Sequence, residues 1–197
     1  MTGGSTNGRR EAAVSEARAF AVGAPMIIAL VGALFGVSYL LAALLGLPPS
    51  FDLPPVARAL GGAILVAGAA VAVWTFRARR PADVIVSTYV TLTKALSRTP
   101  PAAKAGRKEP LVAAGPQRYT RNPLYLGVVL IVSGSALFAA SPFLAVAALV
   151  FLGWFVLVLI PYEESELRAL FGEEWARYSE ETPMLVPFTK RRKRGAR

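Results

Sequence analysis

A long uncharged apolar run near the N-terminus constrains this chain more than any other feature. It reads "AFAVGAPMIIALVGALFGVSYLLAALLGL" and extends over 29 residues, Ala19–Leu47. A helix needs about 20 predominantly apolar residues to cross a bilayer, so this run is long enough to span one. A cleaved signal peptide would have a shorter apolar core. We therefore predict a membrane span that is retained in the protein.

Three further apolar runs follow: Val56–Phe76, Leu124–Ala140 and Pro142–Ile160. The first of them is rich in Gly and Ala, which allow helices to pack closely in lipid. Only Ser141 separates the last two, so they predict an antiparallel hairpin whose second helix starts at Pro142. We expect an all-α integral membrane fold with about four transmembrane helices and the hairpin as its core.

Composition divides the chain into five parts: a flexible N-terminal tail at 1–18, two transmembrane helices at 19–76, a cytoplasmic loop at 77–122, the hairpin with its C-terminal segment at 123–188, and a basic tail at 189–197. Within the loop, Asp83–Leu96 is β-branched and apolar with Thr interspersed. It is either an interfacial helix or a partly buried segment.

An amphipathic helix is predicted after the hairpin. Pro161–Phe188 starts with Pro and acids, as a helix N-terminus does. Its apolar residues recur at helical spacing: Leu167, Leu170, Phe171, Trp175 and Tyr178. We expect this stripe to lie on the cytoplasmic membrane surface or against the loop.

The placement of charge predicts the orientation. Of 22 Lys and Arg residues, ten lie from Arg77 to Arg121, eight from Arg168 onward and three in the N-terminal tail. Only Arg58 lies where the first two spans are joined, at the start of the second. The positive-inside rule then places both termini and the long loop in the cytoplasm. The Ala-, Val- and Arg-rich composition is typical of a bacterial chain, so we expect the bacterial cytoplasmic membrane.

The basic tail explains part of the net charge of +10. Lys190–Arg197 is predicted to attract anionic lipid head groups, at about 1 kcal/mol per cation near the surface. No aromatic platform accompanies it, so we do not expect nucleic-acid binding. The chain contains neither Cys nor His. This composition excludes disulfides, thiolate nucleophiles and histidine bases, and we expect no metal site.

Two interpretations of "RNPLYLG" (Arg121–Gly127) are open. In the first, the motif is a well-formed helix start: Asn122 caps the helix, Pro123 takes its first position, Arg121 reaches lipid phosphates and Tyr125 lies in the aromatic belt. The acids at the end of the hairpin are then favoured only by a helix dipole.

The second interpretation follows from the hairpin. Its two spans bring the start of one and the end of the other to the same face, so Arg121, Asn122 and Tyr125 should lie near Glu163 and Glu164. Polar groups that converge beside a membrane-embedded cleft predict a binding site.

Three motifs and the spans between them resemble a known family: "GPQRYTRNPLYLG" (Gly115–Gly127), "EESEL" (Glu163–Leu167) and "FGEEWARYSEETPMLVPF" (Phe171–Phe188). In order and spacing they are similar to the membrane methyltransferases that include isoprenylcysteine carboxyl methyltransferases and phospholipid N-methyltransferases. The resemblance covers roughly Leu111–Phe188. It implies an integral-membrane enzyme that transfers a methyl group from S-adenosylmethionine.

The resemblance also implies a cofactor pocket between the last spans and the C-terminal segment. Carried over to this sequence, its residues are Gly115, Tyr119, Arg121, Asn122, Pro123, Tyr125, Gly127, Glu163 and Glu164. Two positions depart from the family. Asn122 stands where the isoprenylcysteine enzymes usually have His, and it can donate a hydrogen bond but cannot shuttle a proton near neutral pH. Gln117 stands where an aromatic residue is usual, which alters the pocket wall.

Methyl transfer from a sulfonium is an in-line displacement that depends on positioning, so it needs neither a metal nor His or Cys. For an amine or thiol acceptor, the candidate general bases are Glu163, Glu164 and Tyr125. A carboxylate acceptor would need only an Arg to hold it, and the candidates are Arg118 and Arg168.

A site at the cytoplasmic interface that opens sideways between helices suits a lipophilic small-molecule or lipid acceptor, with the bilayer as the chain's main partner. The alternative function is a non-catalytic four-span scaffold that retains the family motif only as structure. It predicts no cofactor binding. The spans carry no charged residue beyond Arg58, which disfavours an ion or proton transporter.

Overall fold

The structure of the chain is a computed structural model, which describes residues 32–78, 111 and 113–189. The N-terminal tail, the segment Asp83–Leu96 and the basic tail from Lys190 lie outside the described residues. Within those ranges every regular element is helical and no strand occurs. The α-helices are α1 (Gly32–Leu44), α2 (Pro55–Ala78), α3 (Pro123–Ala139), α4 (Pro142–Trp154) and α5 (Ile160–Glu181).

Two helical stretches are long and apolar enough to cross a membrane. One is α2, with 24 residues, and the other is the continuous 40-residue helix Pro142–Glu181, which joins α4 and α5. Two shorter apolar helices, α1 and α3, accompany them. The all-helical class is thus confirmed for the described residues, whereas the count of four spans and the separate amphipathic helix stay predictions.

A seam of glycines joins α2 to α3. Gly61 and Gly68 on α2 face Gly134 and Gly127 on α3, so the two antiparallel backbones touch. A Cβ atom added to Gly68 would lie 2.7 Å from the backbone nitrogen of Ile131, and one at Gly134 would lie 2.8 Å from the carbonyl oxygen of Gly61. Small residues of this kind let helices in lipid gain van der Waals contact along their backbones.

The hairpin turn between α3 and α4 forms as the sequence predicts. Ala140 adopts a left-handed conformation with φ 53°, and the N–H of Ser141 donates to the carbonyl of Ala136 at 2.9 Å, which closes the end of α3. The Ser141 hydroxyl then accepts from the N–H of Leu144 at 3.4 Å and caps α4, while Pro142 occupies its first turn.

Ser141→Ala is expected to lower the free energy of unfolding by about 1 kcal/mol, because the first turn of α4 loses its side-chain acceptor. Thermal unfolding in detergent followed by circular dichroism measures the change. Ser50→Ala, at an exposed loop position, provides the control. Equal losses in both variants would contradict a capping role.

The second hairpin helix does not end where the sequence predicts. Pro161 lacks an N–H and would interrupt an α-helix, so we expected a new helix to start there. Instead, a π-helical turn at Phe155–Leu159 absorbs the disruption, and α4 continues into α5 without a break. The bend comes later, at Gly172, where φ is 49° and ψ is −120°. Beyond this bend Trp175 points inward and is buried.

The core lies where the hairpin meets the C-terminal segment. Its buried side chains are those of Tyr125, Phe155, Leu159, Ile160 and Leu185. The rings of Tyr125 and Phe155 stack with their centroids 4.9 Å apart. This packing fixes the start of α3 against the end of α4, which positions the polar cluster described next.

Candidate functional site

The segment after α5 folds back over the start of α3. The N–H of Arg121 donates to the carbonyl of Pro183 at 2.9 Å. The carbonyl of Met184 accepts twice, from the Asn122 side-chain amide at 2.9 Å and from the Thr120 hydroxyl at 3.3 Å. Residues 120–122 are therefore held by main-chain carbonyls of the C-terminal segment.

The hairpin brings the start of α3 and the start of α5 into direct contact. The Tyr125 hydroxyl lies 3.0 Å from Oε2 of Glu163 and donates to it. The guanidinium of Arg121 lies 3.1 Å from Oε1 of Glu164, and the two side chains are only 10% and 17% exposed. The proximity that the second interpretation requires is present in both pairs.

Arg121 is enclosed by α5. Its guanidinium carbon lies 5.6 Å from the ring centroid of Trp175, a cation–π geometry. Nη1 also lies 3.5 Å from the carbonyl of Ser179. The cation is therefore held in a partly dry site by an acid, an aromatic face and a carbonyl, rather than by lipid phosphate.

Burial raises the pKa of the Glu164 carboxyl above its usual value. This pKa is lowered by the charges of Arg121 and Arg168 and by the amide of Asn122, and it is raised further by the charge of Glu163. Glu164 lies four residues beyond the apolar segment that ends at Ile160. Because desolvation dominates, a ligand group that donates a hydrogen bond to this carboxylate would stabilise its charged form.

Four buried polar atoms in this region have no hydrogen-bond partner among the described residues: Oε1 of Gln117, Nε of Arg121, Oε1 of Glu164 and Nε1 of Trp175. The 3.1 Å approach of Arg121 to Glu164 is an ion pair that lacks hydrogen-bond geometry. Buried polar atoms are rarely left unsatisfied. Two of the four are acceptors and two are donors, so the cluster fits a polar ligand with both kinds of group.

Tyr178 connects the members of this cluster. Its hydroxyl donates to the carbonyl of Gln117 at 2.7 Å, and its ring packs on Trp175 with centroids 5.5 Å apart. Gln117 and Arg121 therefore both lie against the face of α5 that carries Trp175 and Tyr178. We call the side chains of Gln117, Arg121, Glu163, Glu164 and Trp175, together with Tyr125, the polar cluster.

Several residues that the sequence singles out lie outside the polar cluster. Gly127 lies in the seam with α2, where a Cβ atom added to it would lie 3.1 Å from the carbonyl oxygen of Gly68. Gly115 has φ 62° and abuts Ala78, at the start of the 3₁₀ turn Gly115–Arg118. Pro123 is buried in the first turn of α3. These three positions shape the backbone.

The remaining predicted residues are exposed. Tyr119 packs between the rings of Trp74 and Phe188, with centroids 5.8 and 5.9 Å away. Arg118 and Arg168 both reach solvent, and Arg168 is near enough to Glu164 to lower the pKa of that carboxyl.

The interpretation of "RNPLYLG" as only a helix start is wrong in three respects. Asn122 occupies the N-cap position, but its side chain makes no capping hydrogen bond and binds the carbonyl of Met184. Arg121 pairs with Glu164, and Tyr125 is 6% exposed rather than in an interfacial belt. Only Pro123 behaves as that interpretation expects.

Four residues contribute polar atoms to this site that the sequence did not indicate, although Gln117 was expected in the pocket wall: Gln117, Thr120, Trp175 and Tyr178. The apolar spacing of α5 includes Trp175 and Tyr178, but spacing reports a buried face and not the hydrogen-bonding atoms on it. Thr120 is 2% exposed and has no sequence signal beyond its place in the motif.

Comparison with known proteins gives one family and several relatives. The family model for phospholipid methyltransferase matches residues 56–174. A methanethiol S-methyltransferase of Crocosphaera subtropica is 39% identical over 74 residues, which cover 36% of this chain and 27% of the relative. Two protein-S-isoprenylcysteine O-methyltransferases of Arabidopsis thaliana, B and A, are 33% and 36% identical over 78 residues, 40% of each chain.

The shared region is thus less than half of each of these relatives. No solved structure gives a significant match.

Proposed function

The chain belongs to the phospholipid methyltransferase family, and on this premise we propose that it is a membrane-embedded enzyme that transfers a methyl group from S-adenosylmethionine to a lipophilic acceptor. The observation that carries the proposal is the set of four buried polar atoms at and around the Arg121–Glu164 ion pair that have no hydrogen-bond partner among the described residues. The relatives named as methyltransferases support the reaction type.

The polar cluster fits the chemical groups of S-adenosylmethionine. Nε of Arg121 lacks a hydrogen-bond partner among the described residues and can donate to a carboxylate in a charge-assisted pair. Oε1 of Glu164 can accept from an amino group or a ribose hydroxyl. Gln117 offers one more acceptor and Trp175 one more donor.

Bound S-adenosylmethionine would supply the reactive methyl group on a sulfonium. The protein's own residues then hold the reactants in line, which is the main requirement of such a displacement. Asn122 and Thr120 fix the approach to α3 by their bonds to Met184, so Arg121 is placed before the cofactor arrives. Preorganisation of this kind reduces the free-energy cost of ordering on binding.

Proton transfer depends on the acceptor. A thiol or amine must lose a proton, and Glu163, which already accepts from Tyr125, is the proposed base at this site. A carboxylate acceptor has no proton to lose and would be held by Arg118 or Arg168, which are both exposed. The relatives' names include transfer to sulfur and to oxygen, so both routes belong to the proposal.

The test is stabilisation of the detergent-purified protein by S-adenosylmethionine or its demethylated product. A ligand at 100 times its dissociation constant adds about 2.7 kcal/mol to the free energy of unfolding, so the melting temperature should rise clearly. No rise would favour the alternative of a non-catalytic scaffold. Radiolabelled methyl donor incubated with thiols, prenylated carboxylates and lipid extract would then identify the acceptor.

The affinity for S-adenosylmethionine is expected to fall as the pH is lowered. The ionised form of Glu164 accepts the cofactor's donors, and burial raises the pKa of this carboxyl, so protonation begins at a higher pH than for an exposed Glu. Titration calorimetry at a series of pH values measures the effect. In Glu164→Gln the residual affinity should not show this dependence, and an unchanged profile would exclude Glu164 as its source.

A further inference from the structure

The part of α5 beyond the bend at Gly172 lies across Arg121. We call residues 173–181 the strap. The ring of Trp175 lies 5.6 Å from the guanidinium carbon of Arg121, and the carbonyl of Ser179 lies 3.5 Å from its Nη1. Glu164, which pairs with the same guanidinium, lies on α5 before the bend. The two halves of α5 therefore enclose one cation between them.

The donors proposed to bind the cofactor are closed to solvent in this conformation. Nε of Arg121 and Nε1 of Trp175 are buried and have no hydrogen-bond partner among the described residues. The whole side chain of Trp175 is only 2% exposed. A ligand in solution cannot reach either nitrogen while the strap is in place, so part of the enclosure has to move before a ligand binds there.

The chain just beyond the strap is held firmly to the hairpin. Thr182 is extended and ends α5. The carbonyls of Pro183 and Met184 then accept three hydrogen bonds from residues 120–122, at 2.9, 2.9 and 3.3 Å. Leu185 is buried in the core. A movement of these residues would disrupt the core, so they are the fixed end of the enclosure.

The strap itself buries little apolar surface. Trp175 is its only buried side chain, and the structure describes every residue of this segment. An outward movement would break the hydrogen bond from Tyr178 to the carbonyl of Gln117 and the two contacts with Arg121. Segments with few buried apolar contacts open at the lowest free-energy cost. Four carboxylates on the strap are already exposed: Glu173, Glu174, Glu180 and Glu181.

Gly172 provides a joint at the start of the strap. Its φ of 49° and ψ of −120° are open to glycine and closed to residues that carry a Cβ. No atom lies within 4 Å of a Cβ added there, so the joint is not wedged by its neighbours. Hinges are single positions of this kind that absorb a large change of φ and ψ. A return of Gly172 to helical angles would straighten α5 and carry Trp175 away from Arg121.

We propose that the strap opens about Gly172 to admit S-adenosylmethionine and closes over it. The inference rests on the proposed function, because it takes the polar cluster as the cofactor site. A ligand shifts such an equilibrium only through its different affinities for the two forms. The closed strap brings Nε1 of Trp175 beside Nε of Arg121, so a cofactor that accepts from both nitrogens favours the closed form.

Distances between paired spin labels test the movement. The chain contains no cysteine, so introduced thiols are its only labelling sites. Glu180→Cys labels the outer face of the strap, and Arg77→Cys labels the exposed end of α2. Electron–electron resonance on the detergent-purified protein should show a longer distance that S-adenosylhomocysteine, the demethylated product, removes. A distribution that this ligand leaves unchanged, although it raises the melting temperature, would overturn the proposal.

A matched pair of labels locates the joint. Ala169→Cys lies on an exposed position of α5 before the bend and is combined with the same Arg77→Cys. The distance in this pair should not respond to the ligand. Equal responses of the two pairs would show that α5 moves as one body, which would refute a joint at Gly172.

Gly172→Ala tests the joint directly. An alanine disfavours the observed φ and ψ, but its Cβ meets no neighbouring atom, so the change acts through the backbone alone. The longer distance should persist with ligand. The affinity for S-adenosylhomocysteine should fall about tenfold or more, as it does when a binding-competent form becomes that much rarer. Gly153→Ala, also without a neighbour within 4 Å, should close as the wild type does. Wild-type closure in Gly172→Ala would exclude the joint.

Failure of the proposed function gives a different result. If S-adenosylhomocysteine does not stabilise the parent protein, the polar cluster is not the cofactor site. The distances measured without ligand then decide about the strap alone: a single short distance shows a fixed helix and overturns the inference, whereas a longer component shows that the strap opens.

Discussion

Glu164→Gln is expected to reduce strongly the thermal stabilisation that S-adenosylmethionine gives to the purified protein. The substitution keeps the size of the side chain but removes the buried charge that pairs with Arg121 at 3.1 Å and whose Oε1 lacks a hydrogen-bond partner among the described residues. Hydrogen bonds to charged groups contribute about 1.5–3 kcal/mol each. The loss of one or two of them weakens binding by roughly 10-fold to more than 1,000-fold.

The same helix supplies a matched control. Glu180 is exposed, so Glu180→Gln makes an identical chemical change on the outer face of α5. It should leave both the melting temperature and its rise with cofactor unchanged. Calorimetric binding and thermal unfolding are measured for both variants, alongside the weaker changes expected for Glu163→Gln. A wild-type response in Glu164→Gln would remove this carboxylate from the proposed site.

Gly134→Leu is expected to prevent the correct association of α2 and α3. A Cβ at this position would contact the backbone of Leu65 and Gly61, which cannot move aside as the end of a flexible side chain could. Overpacking a well-packed interior costs about 1–3 kcal/mol and occasionally more, and backbone contact places this variant at the upper end. The yield of monodisperse protein in detergent and its melting temperature report the loss.

Gly36→Leu on α1 is the control for this second prediction. Nothing lies within 4 Å of an added Cβ there, so the larger side chain should be accommodated. If both variants unfold at the same temperature, the added apolar volume and not the seam is responsible. If Gly134→Leu has the stability of the wild type, the backbone contact between the two helices is weaker than the structure indicates.

The hairpin was predictable because its signals are local. Ser141 and Pro142 are a cap and a first-turn residue in adjacent positions, and a connection this short makes two long helices antiparallel neighbours. The contact of Arg121 with Glu164 then follows from geometry, since an antiparallel hairpin brings its two open ends together. These features needed no knowledge of the rest of the fold.

Other features depend on information that a single sequence does not carry. The rule that Pro161 ends a helix was overridden by a π-helical turn, which tertiary packing of Phe155 and Leu159 stabilises. Gly127 belongs to the motif that resembles the family, but its packing role depends on α2, which lies against that face of α3. The sequence pattern assigns Trp175 to an apolar face. That its Nε1 is buried without a hydrogen-bond partner among the described residues follows only from the positions of its neighbours.

The carbonyls of Pro183 and Met184 hold the start of α3 through main-chain atoms alone. Any amino acid at position 184 presents the same oxygen, whereas Thr120 and Asn122 donate through their side chains, so a substitution at position 120 or 122 removes a hydrogen bond that one at position 184 keeps. For anyone who shortens or tags the chain, the boundary matters more than the residue type: a fusion placed after Thr189 leaves both acceptors in position, whereas a stop codon before Thr182 deletes them.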